Sequence, residues 1–389
     1  MSHPYRLDDA STKAASTAAR LAKTVLAPSA AEVDAKQRFP RESIDAIASA
    51  GLLGLCVPAS QGGMGLGMRA FAAVTEELAS ACGSTAMVYV MHVSAAQAIA
   101  SGQPLAGRDD LLRAVAAGGH LTTLAFSERG SRSAFWAPVS RMAAENGAFR
   151  VRAEKSWVTS ASHADSYVSS AQKPDAASPL ESTIYLVRKG ATGVQVKGTF
   201  DGLGLRGNDS SPVTLADVAV AKSDLISPLG EGANTMLQVV LPWFSIGTAA
   251  MSNGLCRAAV ATTTAHLTAT TFEHTGTQLR DLPNLRARLA EMSVRTEQAR
   301  ALLGYTLDHI EAGSAAAPLH VLQTRLASLQ AASDVTDLAM KTCGGAAFSK
   351  HLPVERLFRD ARAGWVMAPT VDHLQDFIGR ALTGLPLFG

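Results

Sequence analysis

The spacing of apolar residues changes twice along the chain, and this change restricts the folds that the chain can form. Up to about residue 118 apolar side chains recur at helical spacing, as Leu21 and Val25 do. Between about residues 121 and 230 the period becomes two: Phe149, Val151 and Ala153 alternate with charged residues. Helical spacing then returns. This order predicts an α+β fold and argues against a Rossmann fold, in which strands and helices alternate.

The same changes divide the chain into three expected domains. We predict an N-terminal helical domain at residues 1–120, a middle β domain at 121–230 and a C-terminal helical bundle at 231–389. The turn pair Asn146-Gly147 precedes the alternating run and predicts a hairpin there. In the last domain Leu285, Met292 and Leu303 belong to one helical stripe, which is typical of long helices packed side by side.

Charge and cysteine usage argue against several classes of protein. The net charge is +2, and the chain has no lysine run or basic arm of the kind that nucleic-acid binding requires. The four cysteines lie far apart without a CxxC pair, which argues against a metal site or a disulfide framework and predicts buried thiols. The N-terminus lacks the apolar run of a signal peptide, so we expect a cytoplasmic protein.

Two stretches, residues 78–107 and 232–256, contain no Asp, Glu, Lys or Arg. Both contain Ser, Gln and Gly, and the second contains Pro242. We therefore interpret them as helices buried inside a helical bundle and not as membrane spans. The second stretch has more apolar surface than one subunit is expected to cover, which predicts a homo-oligomer.

Three segments of the middle region and one of the bundle carry a family resemblance. They are residues 124–133 (LAFSERGSRS), 155–160 (KSWVTS), 202–211 (GLGLRGNDSS), and CGG at 343–345 with RDA at 359–361. In order, they resemble the Thr-Glu-Pro-Gly-Ala-Gly-Ser loop, the Lys-x-Trp-Ile-Thr-Asn strand, the Leu-Gly-x-Arg turn and the late Gly-Gly and Arg-Asp-Ala segments of the acyl-CoA dehydrogenase superfamily. The resemblance covers essentially the whole chain. It implies a helical N-domain, a β middle domain and a C-terminal four-helix bundle, assembled as a homodimer or homotetramer.

The resemblance also implies bound FAD. An indole such as Trp157 can lie against the flat isoalloxazine ring while hydroxyl and backbone N–H groups meet its polar edges. Thr159 would lie near the reactive ring nitrogen, and Ser133 near phosphate groups. The alternative is that Trp157 is a core strand residue and Ser127 a turn former. The implied cofactor residues are Ala125, Phe126, Ser127, Ser133, Trp157, Val158, Thr159, Gly344, Gly345 and Thr370.

The chain departs from the family pattern around the outer parts of the cofactor. Arg129 stands where proline is usual and Arg132 where glycine is usual; these side chains either clamp an anion or are solvated at the surface. Phe272, Thr275 and Pro283 occupy the positions of the family's adenosine-binding residues. The adenine end of FAD must therefore be bound differently or less tightly.

The largest departure concerns the catalytic base that removes the α proton of an acyl thioester. The family's Glu lies nine residues after the Arg of Arg-Asp-Ala, and this register places Ala368 there. Some relatives carry the base early in the first bundle helix, but residues 241–247 (LPWFSIG) contain no acid. Asp372, about one helical turn beyond Ala368 if a helix begins near Pro369, and His92, in an apolar helix, are the candidate replacements. Each has a structural alternative: an acid favoured by a helix dipole, and a satisfied core histidine.

Three functions remain open. The first is an FAD-dependent acyl-CoA dehydrogenase that oxidises CH–CH groups of a thioester and passes electrons to an electron-transfer flavoprotein. The second is a flavin-dependent monooxygenase on the same fold, which takes reduced flavin from a flavin reductase and reacts with oxygen. The third is a catalytically silent partner subunit. The missing base favours the second and third functions. The Trp-x-Thr segment at residues 157–159 and the segment at residues 124–133, the Ser-loop, favour an enzyme.

Overall fold

A computed structural model describes residues 3–102 and 104–388. The N-terminal region is helical, as expected. Asp8 caps the first helix, because its carboxylate accepts a hydrogen bond from the backbone N–H of Ser11 at 2.7 Å. A π-helical segment joins that helix to the second one without a break. The helices are α1 (Asp9–Leu21), α2 (Ala27–Lys36), α3 (Arg41–Ser49), α4 (Met68–Ala81), α5 (Gly83–Ser101) and α6 (Arg108–Ala116).

The middle region contains two small sheets whose facing sides form a separate apolar core. One sheet has the order β1-β4-β5, with β1 and β4 parallel, and the other is antiparallel with the order β2-β3-β7-β6. Asn146 and Gly147 both have positive φ and form the predicted hairpin turn between β2 and β3. The strands are β1 (Thr122–Ala125), β2 (Met142–Glu145), β3 (Ala148–Val158), β4 (Ser166–Gln172), β5 (Ser182–Arg188), β6 (Val194–Val196) and β7 (Ser211–Val220).

The C-terminal region is a bundle built around the long helix Leu241–Ala269. This helix packs against the next two long helices, Pro283–Glu311 and Ala317–Phe348, and against α4 of the N-terminal region. The third long helix is interrupted at Gly344, whose φ of 53° and ψ of −130° lie outside the helical region. The last helix packs on that third helix, which completes the predicted four-helix arrangement. The helices are α7 (Gly232–Thr235), α8 (Leu241–Ala269), α9 (Pro283–Glu311), α10 (Ala317–Phe348), α11 (Val354–Ala361) and α12 (Val371–Leu382).

The two uncharged stretches form helices that are buried on nearly all sides. The first stretch includes the last turn of α4 and all of α5, with Gln103 outside the described residues, and the second forms the first part of the continuous helical run Gly232–Ala269. This run is long and apolar enough to cross a membrane, but 78% of its most apolar window is buried inside the protein. Burial within the bundle accounts for its composition, as the sequence predicted. All four cysteines are likewise buried and unpaired.

The middle region is attached to the bundle through the turn at residues 202–207. The backbone N–H of Leu205 donates to the buried carboxyl of Asp360 at 2.6 Å, and burial raises the pKa of this carboxyl to about 6. Beside it, the guanidinium of Arg359 pairs with Asp34 of α2 at 2.6 Å. The Leu-Gly-x-Arg and Arg-Asp-Ala segments, which lie far apart in sequence, therefore contact each other.

This contact requires a residue without a side chain at position 204. A Cβ atom there would overlap the backbone carbonyl of Arg359. We expect Gly204→Ala to lower the free energy of unfolding by about 1–3 kcal/mol, the usual cost of overpacking a tight contact. Gly190→Ala is the matched control, because a Cβ at Gly190 would meet nothing within 4 Å. Equal midpoints of chemical denaturation for the two variants would contradict this account.

Candidate active site

Trp157 forms an exposed aromatic surface at the end of β3. A bulge between Lys155 and Val158 gives Trp157 a φ of 57° and turns its indole outward, so that 68% of the residue is exposed. Val158 and Thr159 are buried, and the Thr159 hydroxyl lies 3.1 Å from the hydroxyl of Ser210. The interpretation of Trp157 as a core strand residue is therefore wrong. The bulge presents a flat apolar face at the surface, which suits contact with a planar ring.

The Ser-loop begins at the end of β1 and runs beside this surface. Ala125 and Phe126 are buried, whereas Ser127 is partly exposed and its carbonyl accepts the N–H of Ser156 at 2.9 Å. This hydrogen bond holds the loop against the strand that carries Trp157. The structure thus brings together the first two of the segments on which the family resemblance depends.

A buried ion pair anchors the Ser-loop. The Lys155 ammonium lies 2.6 Å from the Glu128 carboxylate, and the two side chains are 0% and 3% exposed. The carboxylate also accepts the N–H groups of Val139 and Ser140 at 2.6 and 2.7 Å. Burial alone would raise the pKa of Glu128, but the Lys155 charge and the hydrogen bonds from Ser140 lower it below its ordinary value. Glu128 is therefore a structural anchor with its oxygens occupied.

The far end of the loop carries the two unexpected arginines. Arg132 and Ser133 have φ of 48° and 70°, and Arg129 and Arg132 are both exposed. Within residues 3–102 and 104–388, neither guanidinium forms a salt bridge. Both remain available for an anion at the surface.

The remaining predicted cofactor residues lie on the bundle. Gly344 and Gly345 are exposed at the interruption of α10, and a Cβ on either would meet nothing within 4 Å. The Thr370 side chain caps α12 by accepting the N–H of His373. The three residues at the family's adenosine-binding positions follow α8. Phe272 is partly exposed and Thr275 is exposed in the loop, and Pro283 is exposed at the start of α9.

His92 is sealed inside the protein. It is 0% exposed in α5; its Nδ1 accepts the N–H of Thr122 at 3.2 Å, and its Nε2 lies 3.2 Å from the carbonyl of Leu53. These partners require a neutral ring with the proton on Nε2. Burial lowers the pKa of His92 to about 4. With both nitrogens occupied, the ring joins α5 to β1 and to the turn at Leu53, and this geometry favours the structural alternative.

Asp372 occupies the first turn of α12 and is exposed. This helix begins at Val371, after the Thr370 cap, so the expectation of a helix that begins near Pro369 and places Asp372 one turn beyond Ala368 is wrong. Its side chain lines an open groove of about 860 Å³ between α9, α10 and the start of α12. Thr370, Trp365 and Asp334 also line this groove. Of the two candidate bases, only Asp372 is accessible to a molecule from solvent, because the His92 ring is fully buried.

Neither Ala368 nor residues 241–247, the two base positions of the family, supply an acid. A residue that the sequence reasoning missed contacts both segments. Arg325 of α10 is fully buried, and its Nη2 donates to the carbonyl of Met367 at 3.0 Å, one residue before Ala368. Its guanidinium carbon lies 4.7 Å from the ring centre of Phe244, within residues 241–247. The sequence does contain a signal for this residue: Arg325 is a charged residue at helical spacing from the apolar Leu322 and Leu329.

Three sequence models of one family match the chain. The model described as acyl-CoA dehydrogenase, N-terminal domain, matches residues 8–119. The models described as the middle and C-terminal domains of acyl-CoA dehydrogenase match residues 123–218 and 230–383. Together they cover nearly the whole chain in the order that the fold shows.

Similar proteins extend over nearly the same length. Cyclohex-1-ene-1-carbonyl-CoA dehydrogenase of Geobacter metallireducens is 26% identical over 358 residues, which are 92% of this chain and 93% of that protein. The structure of butyryl-CoA dehydrogenase from Megasphaera elsdenii has a TM-score of 0.92 at 22% identity and covers 97% of this chain and 99% of that chain. An FAD complex of PigA has a TM-score of 0.89 at 20% identity over 97% and 98% of the two chains.

The buried, neutral His92 predicts a specific sensitivity to acid. Because its pKa is lowered from 6.5 to about 4, the unfolded chain binds a proton in this range that the folded chain does not. Stability is therefore lost as the pH falls from 6.5 to 4, by on the order of 3 kcal/mol from this group. His92→Gln should show a smaller loss in urea titrations across this range. The control His351→Gln, at an exposed position, should keep the wild-type loss, and identical acid profiles for wild type and His92→Gln would contradict the assignment.

Proposed function

The chain belongs to the acyl-CoA dehydrogenase family, and on this premise we propose that it is an FAD-dependent oxidoreductase acting on a CH–CH group of an acyl thioester. The observation that carries the proposal is Trp157, an indole that a strand bulge turns outward and leaves 68% exposed. A large aromatic side chain in this setting is expected to be covered by a ligand or partner.

The residues of the site fit FAD. Trp157 would lie against the isoalloxazine ring, and the Thr159 hydroxyl and the backbone of Ala125–Ser127 would meet its polar edges. Ser133, with the exposed Arg129 and Arg132 beside it, would meet the phosphates. When bound, FAD supplies the acceptor for a hydride from the β carbon of the substrate. The ion pair of Glu128 and Lys155 maintains the position of the loop that meets the ring.

Removal of the α proton requires an acceptor on the protein. His92 has no free nitrogen, and Ala368 and residues 241–247 provide no carboxylate. We assign this role to Asp372, whose carboxylate is accessible in the first turn of α12, four residues after Ala368 in the chain. Thr370 caps the helix and thereby orients the turn that carries Asp372.

The absence of an acid at both base positions favours one alternative, a flavin-dependent monooxygenase on the same fold. Such an enzyme receives reduced flavin from a reductase and does not need to remove an α proton.

For the dehydrogenase, the electron acceptor that we propose is an electron-transfer flavoprotein. We also propose a homodimer or homotetramer, because Phe348 and Val366 on the bundle are 84% and 73% exposed. We expect the protein to be cytoplasmic.

Removing the indole should weaken flavin binding. We expect Trp157→Ala to raise the Kd for FAD by roughly tenfold or more, which corresponds to losing about 1.4 kcal/mol or more of aromatic contact. Tyr305→Ala is the control, because Tyr305 is a half-exposed aromatic residue of α9, outside the middle region that carries Trp157. Fluorescence titration of the unloaded protein with FAD measures both values. Wild type that takes up no FAD at micromolar concentration would refute the proposed cofactor.

Anaerobic mixing with thioesters distinguishes the two enzyme functions. Short, branched or aromatic acyl-CoAs should bleach the flavin absorbance of the wild type, and Asp372→Asn should slow bleaching by about a hundredfold, the usual scale for a general base. Asp376→Asn, at an exposed position one turn further on, should bleach at the wild-type rate. Equal rates for all three proteins would refute Asp372 as the base. If no thioester bleaches the flavin and the reduced flavin oxygenates a substrate instead, the monooxygenase alternative holds.

A further inference from the structure

Arg325 is a buried cation without a counterion. The residue is 0% exposed, and only its Nη2 has a hydrogen-bond partner, the carbonyl of Met367 at 3.0 Å. Its Nε and Nη1 are buried and have no partner within the described part of the chain. The face of Phe244 covers the guanidinium from one side. The three N–H groups on Nε and Nη1 are thus left with nothing to donate to.

The other buried cations of the described chain have partners for their charge or for their N–H groups. Lys155 lies 2.6 Å from the carboxylate of Glu128, and Arg69 lies 2.6 Å from that of Glu311. Arg362 forms no salt bridge within the described residues, but its guanidinium donates to Ser333 and Thr336. Burial without an anion disfavours the charged form and lowers the pKa of Arg325 to about 9, so the side chain still carries its charge at neutral pH. Since an isolated buried charge destabilises a protein, its presence calls for a ligand of opposite sign.

The surroundings of Arg325 indicate where such a ligand would lie. Met367 directly precedes Ala368, the register of the family's catalytic Glu, and Phe244 belongs to the segment where other relatives carry their base. The guanidinium therefore touches both segments in which the resemblance leads one to expect a carboxylate. In this chain neither segment has one. In this part of the site the protein therefore supplies a cation, Arg325, beside two segments that supply no carboxylate.

We propose that Arg325 binds a carboxylate on the acyl group of the substrate, so that the enzyme acts on monothioesters of dicarboxylic acids. This inference rests on the proposed function. A carboxylate matches a single guanidinium in charge and can accept from two of its N–H groups, whereas a phosphate monoester brings more charge than one arginine balances. Position favours the acyl group as well, because Arg325 lies beside the base register and not beside the Ser133 loop, which is assigned to phosphates.

Binding of two unreactive analogues to the FAD-loaded protein tests the proposal. Both are thioethers of coenzyme A, which lack the thioester carbonyl and cannot be oxidised; one chain ends in a carboxylate and the other in the isosteric amide. Isothermal titration should show that the wild type prefers the carboxylate by on the order of 30-fold, the scale of one desolvated charge pair. Arg325→Met should reduce this preference to less than threefold, and Arg325→Lys should keep part of it.

Two controls separate ligand binding from damage to the fold. Arg362→Met removes another buried arginine of the same bundle, one that donates to Ser333 and Thr336 and stacks on Phe358. This variant should keep the full preference for the carboxylate. Coenzyme A without an acyl chain should bind wild type and Arg325→Met equally. The melting temperature of ligand-free Arg325→Met should equal or exceed that of the wild type, because the variant no longer buries an unpaired charge.

The outcomes distinguish this inference from the function on which it rests. If the wild type binds both analogues within threefold while neutral acyl-CoAs bleach the flavin, Arg325 does not select a carboxylate and the dehydrogenase assignment stands. If neither analogue nor coenzyme A binds, both proposals fail together. A large fall in melting temperature for Arg325→Met, with the carboxylate preference retained in Arg325→Lys and in Arg325→Met alike, would show that the arginine only supports the Met367 backbone.

Discussion

The candidate site depends on one buried ion pair, between Lys155 of β3 and Glu128 of the Ser-loop. Lys155 also donates to the carbonyl of Ser170 in β4, and Glu128 accepts backbone N–H groups from Val139 and Ser140. One pair therefore joins both sheets to the loop that borders the indole surface. Removing one partner of such a pair typically costs about 3–5 kcal/mol, because the remaining charge stays buried. The carboxylate next to the proposed flavin surface thus serves to position the loop.

A second constraint sets the distance between the middle region and the bundle. The turn at residues 202–207 is held against α11 by Asp360, and the close approach of Gly204 to Arg359 leaves little freedom for sliding. The chain continues from α11 into residues 362–370, which contain the empty base position. The middle region that carries the indole surface is therefore fixed to the helix that directly precedes the segment around Ala368.

His92 and Arg325 illustrate how two polar groups in apolar helices differ. His92 can become neutral, and its two nitrogens match one backbone donor and one backbone acceptor, so burial leaves nothing unsatisfied. Arg325 cannot become neutral at physiological pH, and one carbonyl satisfies a single N–H group. The first group is a structural link between elements. The second retains an unmet requirement for an anion, and this is why it, and not the histidine, indicates a binding site.

The sequence by itself determined the fold class and the family, because hydrophobic period, the Asn146-Gly147 turn and the ordered motifs are local properties of the chain. It also identified the empty base register at Ala368 and singled out Trp157, but whether Trp157 is buried or exposed was decided by the structure. Only the tertiary structure decided that His92 is sealed, that Glu128 is an anchor, and that Arg325 lies between residues 241–247 and Met367. Whether a polar group is satisfied depends on partners tens to hundreds of residues away, and no local pattern records which of them meet.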